Sequence, residues 1–329
     1  MASLKLPRRK FLQLAAGAVT LPALPQLARA QAYPTRPVRF IVPFPPGGSA
    51  DPIARVLANR LSEIWGQQAV IENKGGAGGN LGAQTAAMAT PDGYTIFLGG
   101  AFMGKNPFLY PGSGYDPVMD LAPVAKVCEF INIMVVPNSS PVRSVREFID
   151  HAKINRGKIT YGSSGIGADP HMSTELFQRL TRIEMTHVPY RGAGPALNDV
   201  IPGRLDVYFG TLPSTLPLAR NGQVRALAVT SAKRSEFAPE LPTIAESGVP
   251  AYEYSSWYGV YVPAKTPADI IRKLHEDIVS SLAYPPLKQR LGDIATSVTP
   301  SSPAELAALL KSDMELWGPI IKASNIKGE

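Results

Sequence analysis

The sequence predicts an α/β fold of two lobes, each a doubly wound and mainly parallel sheet, with two crossing segments as the hinge. Short β-branched runs alternate with amphipathic helical patterns along the chain, which is typical of parallel sheets. The apolar run at residues 124–136 is too long for one ordinary strand. The phrase Ala-Asp-Pro occurs at residues 50–52 and again at 168–170, which indicates two halves of similar local design.

The first lobe begins with strands and helices in alternation. Apolar residues at helical spacing predict a helix from Asp51, with Asp51 as its N-cap and Pro52 at its first position. The predicted elements are, in order, strand 38–42, this helix, strand 69–71, helix 80–89 and strand 94–98.

Residues 124–136 are predicted to carry the chain into the second lobe, where the alternation restarts. The elements expected there are helix 145–154, strand 159–161, helix 172–180, strand 184–188, helix 195–201, strand 205–209, helix 212–220 and strand 224–229. Residues 256–262 form the return crossing, and helices 270–282 and 304–321 are expected to pack back on the first lobe. We assign residues 33–130 plus 255–329 to the first lobe and 131–254 to the second, with a cleft between them.

Residues 1–30 have the composition of a signal peptide. A basic stretch that includes Arg8 and Arg9 precedes a weakly apolar segment, and residues 28–30 read Ala-Arg-Ala, a small-residue cleavage site. The mature chain is therefore expected to begin near Gln31. The arginine pair resembles a twin-arginine export signal; the general secretory route and a cytoplasmic basic tail are the alternatives.

Charge and cysteine content exclude several classes of protein. Five of the 33 basic residues and none of the acidic residues lie in residues 1–30, which leaves 28 basic against 26 acidic residues in the mature chain. This near balance does not predict a nucleic-acid surface. Cys128 is the single cysteine, so stability has to come from a core and not from an internal disulfide.

The first candidate binding element is the glycine-rich loop that leads into the first helix. Phe44 begins it, and Gly47, Gly48 and Ser49 stand directly before the helix. Free N–H groups and the helix dipole favour an anion at such a position, and glycine lets a ligand approach the backbone. The alternative is a tight strand-to-helix turn that binds nothing.

The second copy of this pattern strengthens the binding interpretation. Ser163, Ser164, Gly167 and Ala168 precede a helix that starts near Asp169, so two similar edges face the predicted cleft. Asp51 and Asp169 are expected to cap their own helices, since their charge opposes an anion. Contact with the ligand, directly or through a water, is the alternative for both aspartates.

Other strand ends add residues to the predicted cleft. Ala101 and Phe102 follow the third strand of the first lobe, and Thr211 follows the matching strand of the second. The carboxyl ends of strands are where open α/β sheets bind ligands. Lys74 and Arg191 begin the second loop of each lobe, where they either attract an anion or face solvent.

Enzyme motifs fail on inspection, so no catalytic residue, metal or cofactor is predicted. The stretch from Gly99 to Gly104-Lys105 has the spacing of a phosphate-binding loop. Asn106, however, replaces the Ser or Thr that binds magnesium, and Pro107 is expected to block the helix that should follow. Residues 162–165 miss the nucleophile-elbow pattern by one residue, which leaves a Ser164/His171/Asp169 triad without support. The four histidines lack metal-ligand spacing.

Several dispersed motifs carry a resemblance to a known family. They are Tyr33-Pro34-x-Arg36-Pro37, Val42-Pro43-Phe44-Pro45-Pro46-Gly47-Gly48-x-x-Asp51, Glu72-Asn73-Lys74-x-Gly76-Ala77-Gly78-Gly79-Asn80-x-Gly82, Pro91-Asp92-Gly93-Tyr94-Thr95, Val188-Pro189-Tyr190-Arg191-Gly192-x-x-Pro195-Ala196 and Leu241-Pro242-Thr243-Ile244-Ala245-Glu246-Ser247-Gly248. In this order they resemble the Bug family, the extracytoplasmic solute receptors of tripartite tricarboxylate transporters, over essentially the whole mature chain.

The resemblance implies a periplasmic binding protein of the two-lobed class II type. It implies a monomer that encloses a small organic carboxylate by lobe closure and delivers it to integral membrane transporter subunits. In the family, the loops that match residues 47–51 and the glycine-rich loops of the second lobe surround the ligand, partly through waters. The sequence departs from the family's pattern at Ala101-Phe102, where members often carry a hydroxyl residue or histidine.

Two further functions stay open at this point. The same cleft would serve a ligand-sensing partner of a membrane sensor kinase. A remote alternative is an exported hydrolase with Ser163 or Ser164 as its nucleophile. The predicted ligand-binding residues are Phe44, Gly47, Gly48, Ser49, Asp51, Ala101, Phe102, Ser163, Ser164, Gly167, Ala168, Asp169, Arg191 and Thr211.

Overall fold

The computed structural model describes residues 33–324 and 326–328, so the predicted signal peptide lies outside the described residues. The strands are β1 (Val38–Val42), β2 (Ala69–Asn73), β3 (Thr95–Gly100), β4 (Leu121–Pro137), β5 (Thr160–Ser163), β6 (Thr186–Pro189), β7 (Val207–Thr211), β8 (Val224–Val229), β9 (Ser255–Pro263) and β10 (Ser297–Val298). The α-helices are α1 (Ala50–Trp65), α2 (Asn80–Ala87), α3 (Phe102–Leu109), α4 (Val145–Ile154), α5 (Asp169–Thr181), α6 (Ala193–Val200), α7 (Leu212–Arg220), α8 (Ala268–Ala283), α9 (Pro285–Asp293) and α10 (Pro303–Ser324). None of the helices in the described part of the chain is both long and apolar enough to cross a membrane.

Two sheets meet at one strand, and the predicted two-lobed α/β fold is confirmed. In the first sheet β1 lies between β2 and β3, parallel to both, and β9 pairs antiparallel with β3 and β4. In the second sheet β5 lies between β6 and β7, parallel to both, while β4 pairs antiparallel with β7 and β8. We call the elements around these sheets the first and second lobes.

The long strand β4 passes from one sheet to the other, as its length predicts. Its residues 121–131 pair with β9, and its residues 132–137 pair with β7 or β8. Asn132, at the change of partner, is fully buried, and its side-chain amide donates to the Phe209 carbonyl at 2.9 Å. The lobe boundaries at residues 130/131 and 254/255 stay a prediction.

Helices α3 and α10 pack together and reach both lobes. Leu306 and Leu310, near the start of α10, belong to a first-lobe core with Phe102. Trp317 and Ile321, near its end, are buried in a core that also contains second-lobe side chains. The C-terminal helix therefore contacts the second lobe as well as the first, on which the sequence places it.

Helix α3 corrects one prediction from the sequence. Pro107 lies inside this helix and does not block it. Proline removes the N–H that would bond to the carbonyl of Met103, but the helix is only two turns long and closes with a 2.8 Å bond from the Tyr110 N–H to the Asn106 carbonyl. Burial of Met103 and Leu109, both 0 % exposed, favours the helix in spite of the missing bond.

Candidate ligand-binding cleft

The N-termini of α1 and α5 lie at one small cavity between the lobes. Helix α1 follows the loop after β1, and α5 follows the loop after β5. The cavity, which we call the inner chamber, has a volume of about 20 Å³. Its lining residues are Phe44, Gly48, Ser49, Ala50, Ser164, Ala168, Asp169, Pro170, Ala193, Tyr208, Thr211 and Tyr258. The two helix starts that carry the repeated Ala-Asp-Pro phrase thus meet at a single site.

A larger cavity lies next to the inner chamber and shares Phe44 and Ser164 with it. This outer cavity has a volume of about 350 Å³. Its lining residues are Phe44, Pro45, Gly76, Ala77, Gly78, Gly79, Tyr110, Ser164, Gly165, Ile166, Pro189, Tyr190, Arg191 and Gly192. Glycine backbone forms much of this wall, so ligand atoms can approach main-chain groups closely.

Neither helix start is capped by a side chain. Ser49 and Ala168 occupy the N-cap positions of α1 and α5 and make no side-chain cap hydrogen bond. The predicted capping role of Asp51 and Asp169 is therefore wrong, because each helix begins early enough to place its aspartate inside the first turn. The first-turn N–H groups of both helices are not taken by a side-chain cap, and such groups bind anions.

Asp51 holds α1 against β2 and does not line either cavity. Its carboxylate accepts from Arg55 Nε at 2.8 Å and from Asn73 Nδ2 at 2.9 Å. Asn73 Nδ2 also donates to the Phe44 carbonyl at 2.9 Å. This network fixes the start of the first glycine loop.

Asp169 lines the inner chamber, and its negative charge is compensated by side chains that line neither cavity. Lys105 Nζ (3.4 Å), Tyr254 OH (2.9 Å) and Ser256 Oγ (2.8 Å) all lie at the same carboxylate oxygen. Lys105 is 1 % exposed, and its Nζ also donates to Tyr254 OH at 2.7 Å and lies 5.2 Å from the Trp317 ring. The charge that opposes an anion in this chamber is thus paired with a buried cation.

A stacked aromatic cluster supports the second glycine loop through side chains that line neither cavity. The His171 and His187 rings stack with centroids 4.1 Å apart, and Tyr161 stacks on His187 at 4.7 Å. His187 Nε2 hydrogen-bonds Ser163 Oγ at 2.6 Å, and His171 Nδ1 accepts from the Gly167 N–H at 3.1 Å. Ser163 and Gly167 are therefore held by the cluster and do not line the cavities.

Burial sets the protonation of this cluster. It lowers the pKa of His187 to about 4 and, with the neighbouring His187 and Lys105, holds the pKa of His171 well below its usual value. Because His171 Nδ1 accepts from Gly167 and the Asp169 carboxylate is bound by the Lys105 group, the Ser164/His171/Asp169 triad does not form. Ser164 instead lines both cavities.

The remaining predicted residues divide between lining and support. Arg191 lines the outer cavity and Thr211 the inner chamber. Ala101 and Phe102 lie in the first-lobe core, and the Phe102 ring packs edge-on against Phe44 at 5.5 Å. Gly47 adopts φ +98° against Gly194 of the facing lobe, a conformation that glycine favours.

Reasoning from the sequence missed three side chains at the cleft. Tyr208 and Tyr258 line the inner chamber, and Lys105 compensates the negative charge of Asp169. One signal was present for Tyr208, because it lies on the strand that ends at the predicted residue Thr211. Lys74, for which the sequence allows either attraction of an anion or exposure to solvent, pairs with Glu72 at 2.9 Å.

Comparison with known proteins decides the family. The family TctC, described as the tripartite tricarboxylate transporter family receptor, matches residues 53–326. The chain belongs to this family. It is accordingly a solute-binding receptor of the periplasmic type, and such receptors are not an enzyme class.

Curated relatives cover nearly the whole receptor. A UPF0065 protein in the tcbD-tcbE intergenic region of Pseudomonas sp. (strain P51) is 36% identical over 294 residues, which are 89% of this chain and 88% of the relative. Protein BugT of Bordetella pertussis is 32% identical over 300 residues, 91% of this chain and 92% of the relative. These matches agree with the resemblance inferred from the motifs.

Solved structures have the same fold. Rpa4515 of R. palustris with adipate superposes with a TM-score of 0.87 at 38% identity, over 90% of this chain and 99% of that one. The periplasmic binding protein BugD superposes with a TM-score of 0.86 at 33% identity, over 90% of this chain and 100% of that one. MatC of Rhodopseudomonas palustris with bound malate has a TM-score of 0.83 at 30% identity, over 88% of this chain and 100% of that one.

Proposed function

We propose that this receptor encloses a small organic carboxylate between its lobes and delivers it to a tripartite tricarboxylate-type membrane transporter. The observation that carries the proposal is the meeting of two helix N-termini, one from each lobe, at the inner chamber. Their first-turn N–H groups and dipoles favour negative charge. A ligand bound there touches both lobes, so binding stabilises the closed arrangement.

A short dicarboxylate is the ligand class that this cleft favours. One carboxylate directs an oxygen into the inner chamber, and the rest of the molecule lies in the outer cavity, whose volume of about 350 Å³ is at the lower end of small-molecule sites. Exposed Arg191 on the outer wall attracts the second carboxylate. Two related structures contain dicarboxylates, adipate and malate, which supports this choice.

The same proposal assigns the receptor to the periplasm. Residues 1–30 direct export, by the twin-arginine route, and are removed. The mature receptor then works as a monomer beside the integral membrane subunits. These statements rest on the sequence of the export signal and on the family.

A binding panel tests the proposal. Receptor purified from the periplasm is heated with adipate, malate, succinate or citrate, and with adipamide as a neutral control of matched length. At a hundred times its dissociation constant a bound acid adds about 2.7 kcal/mol of stability, whereas adipamide leaves the unfolding midpoint unchanged. Absence of a shift with every acid, checked by calorimetry, contradicts the proposal. If the ligand-loaded receptor captures a sensor kinase and no transporter subunits, the transport role is contradicted, whereas the proposed ligand binding stands.

A further inference from the structure

Tyr208, on β7, carries a buried hydroxyl that the fold itself does not use. The side chain lines the inner chamber and is 0 % exposed. Its hydroxyl has no hydrogen-bond partner among the described residues. Leaving such a group unpaired costs about 1–3 kcal/mol, so a native protein that keeps one needs a reason.

Most other polar side chains of the chamber are already paired. Thr211 Oγ1 hydrogen-bonds Ser214 Oγ at 2.8 Å, and Ser49 Oγ hydrogen-bonds Tyr258 OH at 3.2 Å. The Asp169 carboxylate oxygen Oδ1 accepts from hydroxyls and from Lys105. Two hydroxyls of the described lining are left to a ligand: that of Ser164, which is partly exposed, and that of Tyr208, which is fully buried.

The phenol of Tyr208 is a donor at every working pH. Burial raises its pKa, and the nearby charge of Asp169 raises it further, so the group stays neutral and keeps its proton. The helix N-termini at the chamber also present donors, their N–H groups. A carboxylate, which accepts hydrogen bonds on all sides, therefore fits. The phenol oxygen can also accept a hydrogen bond, so discrimination against an N–H comes from the helix N-termini, which offer donors alone.

We propose that Tyr208 is a ligand-contacting, specificity-determining residue whose hydroxyl donates to an oxygen of the carboxylate held by the two helix N-termini. The inference rests on the proposed function and adds a named side chain to it. A chamber of about 20 Å³ has room for about one water-sized group, so the oxygen end of the ligand enters and the remainder stays in the outer cavity. A carboxylate is thereby preferred over a primary amide of the same shape.

The variant Tyr208→Phe removes one oxygen atom and leaves the ring in place. We expect the dissociation constants for adipate and malate, measured by calorimetry, to rise at least about tenfold, equivalent to 1.4 kcal/mol. The ligand-free variant keeps or gains stability, because an unpaired buried hydroxyl has been removed. A structural role for Tyr208 predicts the opposite change in ligand-free stability.

Tyr261→Phe is the matched control. Tyr261 is also 0 % exposed, and its hydroxyl finds no hydrogen-bond partner in the part of the chain that the structure describes. It lines neither the inner chamber nor the outer cavity. Its variant is expected to bind both acids like the wild type. Wild-type affinity in Tyr208→Phe, or a clear loss of its ligand-free stability, overturns the inference and leaves the proposed function standing. Failure of the wild-type receptor to bind either acid overturns the proposed function instead.

Discussion

Lys105 is the residue on which the electrostatics of the cleft depend. A lysine at 1 % exposure is held in a protein only when its charge is paired. Here the partner is Asp169, with Tyr254 hydroxyl between them. Asp313 lies on the same side: burial raises its carboxyl pKa while Lys105 opposes that rise. Removal of the cation leaves a buried carboxylate at the wall of an anion site.

The variant Lys105→Met is expected to destabilise the receptor by about 3–5 kcal/mol, because breaking a buried pair leaves one charge uncompensated. Affinity for dicarboxylates falls as well, since Asp169 then repels the ligand. The double variant Lys105→Met/Asp169→Asn recovers most of both losses. Denaturant unfolding and calorimetry measure the two effects.

An exposed ion pair provides the control for this comparison. Arg36 and Asp92 are 2.9 Å apart with 60% and 38% of their side chains exposed, so Arg36→Met costs no more than about 1 kcal/mol. If the double variant is no better than Lys105→Met alone, Lys105 contributes by packing against Tyr254 and Trp317 and not by compensating charge.

At the scale of single residues, the sequence predicts what is local and misses what is brought together by the fold. Gly48, Ser49 and Ser164, which line the inner chamber, can be proposed from the sequence because a strand, a glycine loop and a helix follow one another along the chain. Their contact with a ligand stays a prediction. Lys105 meets Asp169 across 64 positions, and no short pattern records such a contact. The predicted capping role of the aspartates is wrong for a related reason, since a shift of one or two residues in the start of a helix changes what the aspartate side chain reaches.

At the scale of elements, the loop between β5 and α5 depends on the stacked cluster behind it. His171 and His187 bond to Gly167 and Ser163 respectively, in their neutral forms. The groups that face the pair are the Tyr161 hydroxyl on β5, Glu175 on α5, 3.8 Å from His171 Nε2, and Lys105 on α3. Protonation of either ring removes an acceptor or adds charge in a buried place.

Stability is therefore expected to fall in acid. Both histidines have depressed pKa values in the folded state, about 4 for His187, against about 6.5 unfolded. Between pH 6.5 and pH 4 the unfolded chain binds protons that the folded chain does not, so stability is complete above pH 6.5 and decreases below it, by up to about 1.4 kcal/mol per pH unit for each ring. Glu175, whose pKa burial raises, works in the opposite direction and offsets part of this loss.

Thermal unfolding at pH 7.5 and pH 5 measures the effect in wild type and in His187→Phe. The phenyl ring keeps the stacking but does not titrate, so the difference between the two pH values becomes smaller. His151→Gln, on α4 outside the cluster, is the control and keeps the wild-type difference. An unchanged pH dependence in His187→Phe contradicts the assignment of this cluster as its source.

The helices and strands themselves were largely predictable. Those of the βα repeats follow from periodicity and β-branched runs, which are local properties. Helices α3 and α9 were not predicted: α3 contains Pro107, and α9 begins with two prolines. Helix α3 forms because its side chains are buried in the tertiary structure. A local sequence pattern carries little information about such burial.

At the scale of the whole molecule, loops of the two lobes contact each other at the cleft. A Cβ atom added to Gly48 on the first lobe lies 3.6 Å from the Ala193 Cβ on the second, within the range of a disulfide. Gly48 has an ordinary backbone conformation, so a side chain is tolerated there. Cys128 does not interfere, because it is 0 % exposed and burial raises its thiol pKa to about 12.

The variant Gly48→Cys/Ala193→Cys is expected to lock the lobes when it is oxidised. Both positions line the inner chamber, so the reduced double variant sets the reference rates for adipate binding and release. Relative to it, oxidation before loading slows association by more than about a hundredfold, and oxidation after loading slows release, because exchange requires the lobes to separate. Dithiothreitol restores both rates, and Gly48→Cys alone shows neither effect. The disulfide is confirmed by mass spectrometry. If the oxidised variant then exchanges ligand as fast as the reduced one, the ligand reaches the chamber without hinge opening.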